Sequence, residues 1–284
     1  MKAPKGILPA GLYIVATPIG NLGDMTQRAI ETLRGVDVIA CEDTRVTGVL
    51  LQRFAIATPM TPYHDHNANR VRPQILARLQ AGEAVALVSD AGTPLISDPG
   101  YKLVRDCAEA GLKAIPLPGP SALLAALAVA ALPTDRVLFA GFLPSKSGAR
   151  REALMAVKSL QATLVFYESP QRLADSLADM TTVLGRRDAA VCRELTKLHE
   201  EVRRDSLAGL AQSYADAPTP KGEVVVVVAG APAEQEKTEA MDIDQALLDA
   251  FKTMSVRDAA AAVAEALNQP RRTVYARALA LAKK

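Results

Sequence analysis

The sequence predicts an α/β protein of two lobes sharing a cleft, followed by a short helical module, and three observations predict it. Up to Pro116, short β-branched runs alternate with amphipathic segments, the pattern of βαβ units in a parallel sheet. From Ser121 to Gly230 the alternation resumes with signs of antiparallel pairing, and from Asp242 the composition is helical throughout. We divide the chain into an amino-terminal lobe (1–117), a second lobe (118–230), a linker (231–241) and a helical domain (242–284).

In the first lobe, strands are expected at Leu12–Thr17, Val36–Cys41, Ala84–Ser89 and Lys113–Leu117. Helices are expected near Thr26–Leu33, Thr47–Arg53, Ala68–Leu79 and Tyr101–Ala110. Pro116, Pro118, Gly119 and Pro120 then break the pattern, because proline withholds a backbone donor and restricts the residue before it. The apolar run Ala122–Leu132 reads as a buried helix, too short for the ~20 residues a membrane span requires. RVLFAGF, TLVFYES, AAVCREL and EVVVVVAG read as strands, with another at His199–Arg204, and the unbroken Val224–Val228 run suggests burial on both faces. Gly230–Ala240 is polar and aperiodic, as a linker is. Three helices follow, near Ala246–Lys252, Val256–Leu267 (capped by Ser255) and Arg272–Leu281, with helix-turn-helix spacing.

Composition narrows the function. The chain has 284 residues, 49% hydrophobic and 23% charged, which excludes disordered and collagen-like classes. Five Phe, six Tyr and no Trp argue against aromatic platforms for single-stranded nucleic acid. A net charge of +2 declares no polyanionic partner, so any nucleic-acid surface must be local. Three scattered cysteines without C-x-x-C argue against a disulfide framework or zinc site and suit a reducing cytoplasm. The basic amino terminus is interrupted by Pro9 and Gly11 and does not read as a signal peptide.

Three loops at strand ends carry the chemistry. Thr17–Thr26 (TPIGNLGDMT) places Pro18, Gly20 and Gly23 where a ligand can approach backbone, and it matches neither G-x-x-x-x-G-K-[ST] nor G-x-G-x-x-G. Cys41–Arg45 packs Glu42, Asp43 and Arg45 at the end of a strand, either facing the crevice or as a helix cap by Asp43 or Thr44 with an ion pair. Ser89–Leu103 (SDAGTPLISDPGYKL) is far longer and more polar than a routine connection, as a ligand-wrapping loop would be. His64, Asp65 and His66 lack a further ligand cluster and read as loop or helix entry rather than metal ligands; no G-x-S-x-G elbow is present.

Together with TPYHDHN, PLPGPSA, GFLPSKSGARR, FYESPQRL, CRELTKLHEE and KGEVVVVV, these loops closely resemble the tetrapyrrole methylase superfamily of two-lobed, class III methyltransferases. Within it they resemble the small-subunit rRNA cytidine 2′-O-methyltransferase I family, over residues 12–230 in order, and the last module resembles that family's helix-turn-helix domain. Pro18-Ile19-Gly20-Asn21 replaces the G-x-G-x-G loop of the tetrapyrrole enzymes, which agrees with the rRNA branch.

The resemblance implies a homodimer that binds S-adenosyl-L-methionine between its lobes and methylates a cytidine ribose of 16S rRNA near the decoding centre, on the small ribosomal subunit. It assigns the methionine part to Pro18, Asp90, Ala91, Gly92, Thr93, Pro94 and Ile96, and the nucleoside to Ser121, Ala122, Leu143 and Pro144. A cofactor without phosphate needs no P-loop lysine. A ribose hydroxyl is a poor nucleophile, so Asp43, Glu168 and Glu194 are candidate bases, with Arg45, Arg193 and Lys197 holding phosphate or tuning an acid. Structural pairing among Arg193, Glu194 and Lys197 is the alternative. Lys146, Arg150 and Arg151, and Arg271, Arg272, Arg277, Lys283 and Lys284, are candidate RNA contacts, or else exposed helix faces and a solvated tail. Competing readings are a tetrapyrrole or protein methyltransferase and a DNA-binding, ligand-sensing regulator.

Overall fold

The computed structural model describes residues 8–97, 100–232, 243–267 and 269–282. It divides into two units, Met1–Gly230 and Ala231–Lys284. Most of the expected linker, and Asp98, Pro99, Asn268, Lys283 and Lys284, lie outside the described residues.

The first sheet contains β1 (Gly11–Val15), β2 (Val38–Cys41), β3 (Met60–Pro62), β4 (Ala84–Val88) and β5 (Ala114–Leu117). All pair in parallel, in the order β3-β2-β4-β1-β5. Alternate side chains enter different cores because successive Cβ atoms point to opposite faces. Val15, Ile39 and Val88 pack on one side with Leu33 and Leu51, from α1 (Gln27–Gly35) and α2 (Thr44–Arg53). Leu12, Val38 and Leu87 pack on the other with Ile75 and Leu103, from α3 (Ala68–Gln80) and α4 (Tyr101–Glu109). Strand β3 departs from the sequence expectation, which assigned no element to that stretch. It is a three-residue edge strand ending at Pro62, too short and too proline-limited to carry a periodic signal.

The second sheet joins β6 (Val137–Phe142), β7 (Thr163–Glu168), β8 (Asp188–Arg193), β9 (Glu201–Ser206) and β10 (Val224–Val228), in the order β6-β7-β10-β8-β9. Only β6 and β7 run parallel. The valine run is the central strand: Val224, Val226 and Val228 face the core under α6 (Ser147–Val157), α7 (Leu173–Leu184) and α8 (Leu207–Ala215). Val225 and Val227 face α5 (Ala122–Ala130).

One expectation is corrected here. The apolar helix α5 is not buried in this chain: only Ala126 and Ala130 are, and Leu124 is 63% exposed. The helix covers its sheet with one side, and no described residue of the unit covers the other.

The second unit is a bundle of α9 (243–250), α10 (Val256–Ala266) and α11 (Arg271–Ala282) around Leu247, Val263, Val274 and Ala278. Ser255 accepts a hydrogen bond from the Asp258 amide and caps α10. No helix of the described residues is long and apolar enough to cross a membrane.

Candidate active site

Parallel strands bring their carboxyl ends to one edge, and there the first and third loops bind each other. The Thr17 amide donates to the Gly92 carbonyl (2.9 Å) and the Gly92 amide to the Thr17 carbonyl (3.0 Å), while the Thr93 hydroxyl donates to the Pro120 carbonyl (3.1 Å). Gly92 has φ +79°, and a Cβ there would meet Ile19 Cγ2 at 3.3 Å, so glycine suits both the turn and the packing. Leu95 and Ser97 also lie at positive φ, the strained backbone that clusters at ligand sites.

Behind these loops, between the lobes, lies a cavity of about 430 Å³. Of the residues assigned to the cofactor, Asp90, Ala91, Gly92, Thr93, Ile96, Ser121 and Ala122 line it. Pro18 lines a neighbouring cavity, Pro94 and Leu143 line neither, and Pro144 is exposed. Leu143 belongs instead to the core of the second lobe. The second lobe also supplies residues that the sequence reading did not single out: Phe142, Tyr167, Ser169, Pro170 and Gly222–Val225. Their signal is the position of FYESP and KGEVV at the ends of strands β7 and β10, which the sheet order makes neighbours.

The three candidate bases are each already engaged. Asp43 caps α2, accepting from the Arg45 amide (2.8 Å), and pairs with the Arg45 guanidinium (2.6 Å), which holds its carboxyl down at about 2. Glu168 is buried and accepts from Arg172 (2.5 Å), Ser176 (2.5 Å) and the Ser169 amide (2.7 Å). Glu194, at φ +51°, accepts from Lys197 Nζ (2.7 Å) and the Glu223 amide (3.0 Å); the lysine holds its carboxyl below the usual range. Lys197 also reaches Glu223 (3.1 Å), and its stem crosses from the second lobe to lie against Gly20 of the first. Arg193 binds Glu201 and the Lys221 carbonyl, both at 3.0 Å. Of the structural pairing left open by the sequence, the Glu194–Lys197 pair is present, while Arg193 pairs with Glu201 instead. Glu42 differs: burial and the nearby Asp90 and Asp65 carboxylates push its carboxyl up.

The basic residues separate as well. Arg45 and Lys146 are exposed, and Arg271 and Arg272 are exposed at the start of α11. Arg150 is corrected: it is buried, with Nε on Asp179 at 2.7 Å, and cannot reach a phosphate in this conformation. A carboxylate buried between α6 and α7 needs such a cation. Arg151 shares Asp179 while remaining half exposed, and Arg277 pairs bidentately with Asp244 at 2.6 Å. Among the described residues no His, Cys, Asp or Glu cluster is disposed to hold a metal; the Asn67 side chain accepts from the His64 amide at the entry to α3.

Comparison with known proteins explains this arrangement. Residues 11–211 match the family model of the Tetrapyrrole (Corrin/Porphyrin) Methylases, and residues 237–282 match that of the RsmI C-terminal HTH domain. A Mesorhizobium japonicum protein named ribosomal RNA small subunit methyltransferase I is 52% identical, over 99% of this chain and 95% of its own length. One of the same name from Escherichia coli O157:H7 is 50% identical, over 87% of this chain and 85% of its own. The chain belongs to the tetrapyrrole methylase family, in its ribosomal RNA small subunit methyltransferase I branch. Solved structures share its fold. Diphthine synthase superimposes with a TM-score of 0.59 at 15% identity, covering 80% of this chain and 93% of its own. A Thermus thermophilus uroporphyrin-III C-methyltransferase complexed with S-adenosylhomocysteine gives 0.52 at 16% identity, covering 76% and 96%.

The residues present fit the S-adenosylmethionine that the resemblance implies, and the cavity suits it. Ile19, Ile96, Phe142 and Val225 offer an apolar wall for adenine, and Asp90 an acceptor for an ammonium. The first turn of α5, at Ser121 and Ala122, forms part of the same wall. When bound, the cofactor supplies an electrophilic methyl group on a sulfonium.

Proposed function

We propose that the protein transfers the methyl group of S-adenosylmethionine to the ribose 2′-hydroxyl of a cytidine in 16S rRNA, near the decoding centre of an assembled small subunit. The observation that carries this is the cavity joining the Gly92 turn to α5 and to β7 and β10, in a chain whose near-full-length relatives bear the rRNA methyltransferase name. The Pro18–Asn21 loop supports an rRNA rather than a tetrapyrrole acceptor. Labelled cofactor offered to small subunits lacking their native methylation should place the label on one cytidine ribose. Label on a protein or another base would overturn the proposal.

In this reading the lobes work chiefly by positioning. In-line displacement at a sulfonium gains most from holding oxygen and methyl together. Asp43, Glu168 and Glu194 order the loops around the cleft, through Arg45, Arg172 and Lys197, rather than removing a proton. A positioned base contributes at least about 100-fold. Asp43→Ala and Glu194→Ala should therefore each lose less than that in single-turnover rate at saturating cofactor; a larger loss identifies that carboxylate as the base.

The proposal extends to partners. The uncovered face of α5, continuous in character with exposed Phe142, suits a symmetric contact with a second copy. Arg45, Lys146, Arg271 and Arg272 are the residues we assign to RNA phosphates.

A further inference from the structure

A separate cavity, of about 320 Å³, is built where β3 gives way to α3 and where α4 begins. Its walls include Tyr63 and Asp65 after β3, Asn69 and Arg72 at the start of α3, and Tyr101 and Lys102 at the start of α4. Strand β3 runs parallel to β2, and Tyr101 and Lys102 close the loop whose Asp90–Gly92 segment lines the main cavity. Both cavities therefore belong to the carboxyl edge of the first sheet, where α/β proteins collect their ligands. Glu42 stands within reach of both, since Asp90 of the main cavity and Asp65 of this one each act on its carboxyl.

The side chains in these walls divide by chemistry. Tyr101 is 68% exposed, a flat ring left uncovered, whereas Tyr63 is buried. Lys102 is exposed and meets no acid among the described residues. Arg72 differs, because its Nε lies 2.7 Å from Asp106, which neutralises it and fixes it in place. Asp65 and Asn69 are exposed, and neither side chain has a hydrogen-bond partner among the described residues. An open aromatic face, a free ammonium and groups that seek hydroxyls match the base, phosphate and ribose of a ribonucleotide. Ala68 is the one aliphatic side chain among the described walls, so the apolar anchors that hold a protein partner are lacking. Scarce aromatic residues fit one nucleotide held here rather than a strand stacked along a row of rings.

We propose that this cavity holds one nucleotide of the rRNA strand, a neighbour of the nucleotide to be methylated. Its base stacks on Tyr101, its phosphate meets Lys102, and its ribose hydroxyl donates to Asp65 with Asn69 beside it. Anchoring a neighbour draws the strand along the sheet edge and sets the target ribose over the main cavity. These contacts govern binding of the subunit and leave the transfer step unchanged. The inference rests on the rRNA methylation reading and adds to it a site that holds the strand.

The test uses the full chain, unmethylated small subunits and labelled S-adenosylmethionine. Tyr101→Ala should raise the KM for subunits about tenfold, with kcat and the cofactor Kd unchanged. Tyr101→Phe keeps the ring and should show the parent KM. Lys102→Gln should flatten the salt dependence of subunit binding by about one unit of log–log slope. A benzophenone photocrosslinker in place of Tyr101 should capture rRNA within a few nucleotides of the labelled position. The parent KM in Tyr101→Ala, an equal loss in Tyr101→Phe, an unchanged salt slope, or a crosslink to a ribosomal protein would overturn the site while leaving the reaction standing. A lowered melting temperature in Tyr101→Ala would do the same, since a ring this exposed should not support the fold. Absence of label on rRNA with the unsubstituted protein would overturn the reaction itself, and the site with it.

Discussion

At the scale of single residues, the site is governed by backbone conformation and by who neutralises whom. Gly92 is the sharpest case. Alanine there would force a side chain into the left-handed region and against Ile19, at a cost of about 1–2 kcal/mol. We expect Gly92→Ala to weaken S-adenosylmethionine binding about tenfold or more by calorimetry. Glu42 offers a pH test. Its folded pKa is raised by burial and by Asp90 and Asp65, so its ionised form opposes folding. That penalty is absent below the unfolded-state pKa and grows as pH rises through the folded one. Glu42→Gln should therefore raise the melting temperature at pH 8, and the gain should vanish in melting curves toward pH 4. Residue types at these positions were legible as loop chemistry; which acids were already paired was not. Asp43 and Arg45 are near neighbours in sequence and their pairing was foreseeable, but the Glu168 partner Ser176 and the Glu194 partner Glu223 arrive from other turns and strands.

Elements show where pattern suffices and where it fails. Alternation of strand-like runs with amphipathic segments was enough to place β1, β2 and β4 in a parallel sheet, and the valine run was enough to foresee a β10 buried on both faces. Helix α6 was misread because RR in an exposed-looking context carries no mark of a buried acid on another helix. Arg150→Ala should cost about 3 kcal/mol in urea denaturation, because it removes the buried partner of Asp179 and leaves only the half-exposed Arg151 and Ser147, while Lys146→Ala should change stability by less than about 0.5 kcal/mol. Equal effects of the two would contradict the burial. Short edge strand β3 carries no periodicity at all, so only its pairing with β2 reveals it.

For the whole molecule, the open questions are assembly and RNA. If the bare side of α5 is a subunit contact, Leu124→Glu should halve the sedimentation mass with little loss of secondary structure. If Arg45, Lys146 and Arg271 meet phosphates, each neutral substitution should flatten the salt dependence of small-subunit binding by about one unit of log–log slope. The +2 net charge conceals this because acids such as Asp179 and Asp244 consume some cations internally and leave others exposed.

By itself the sequence determined the two α/β lobes, the helical module, the family and, through it, the cofactor, because strand alternation, caps and loop motifs are local properties of the chain. Only the tertiary structure decided which charges are free and which lobe residues share a cavity. Those depend on distances between residues remote in sequence, and a carboxylate or hydroxyl acquires its chemistry from whichever groups the fold sets beside it.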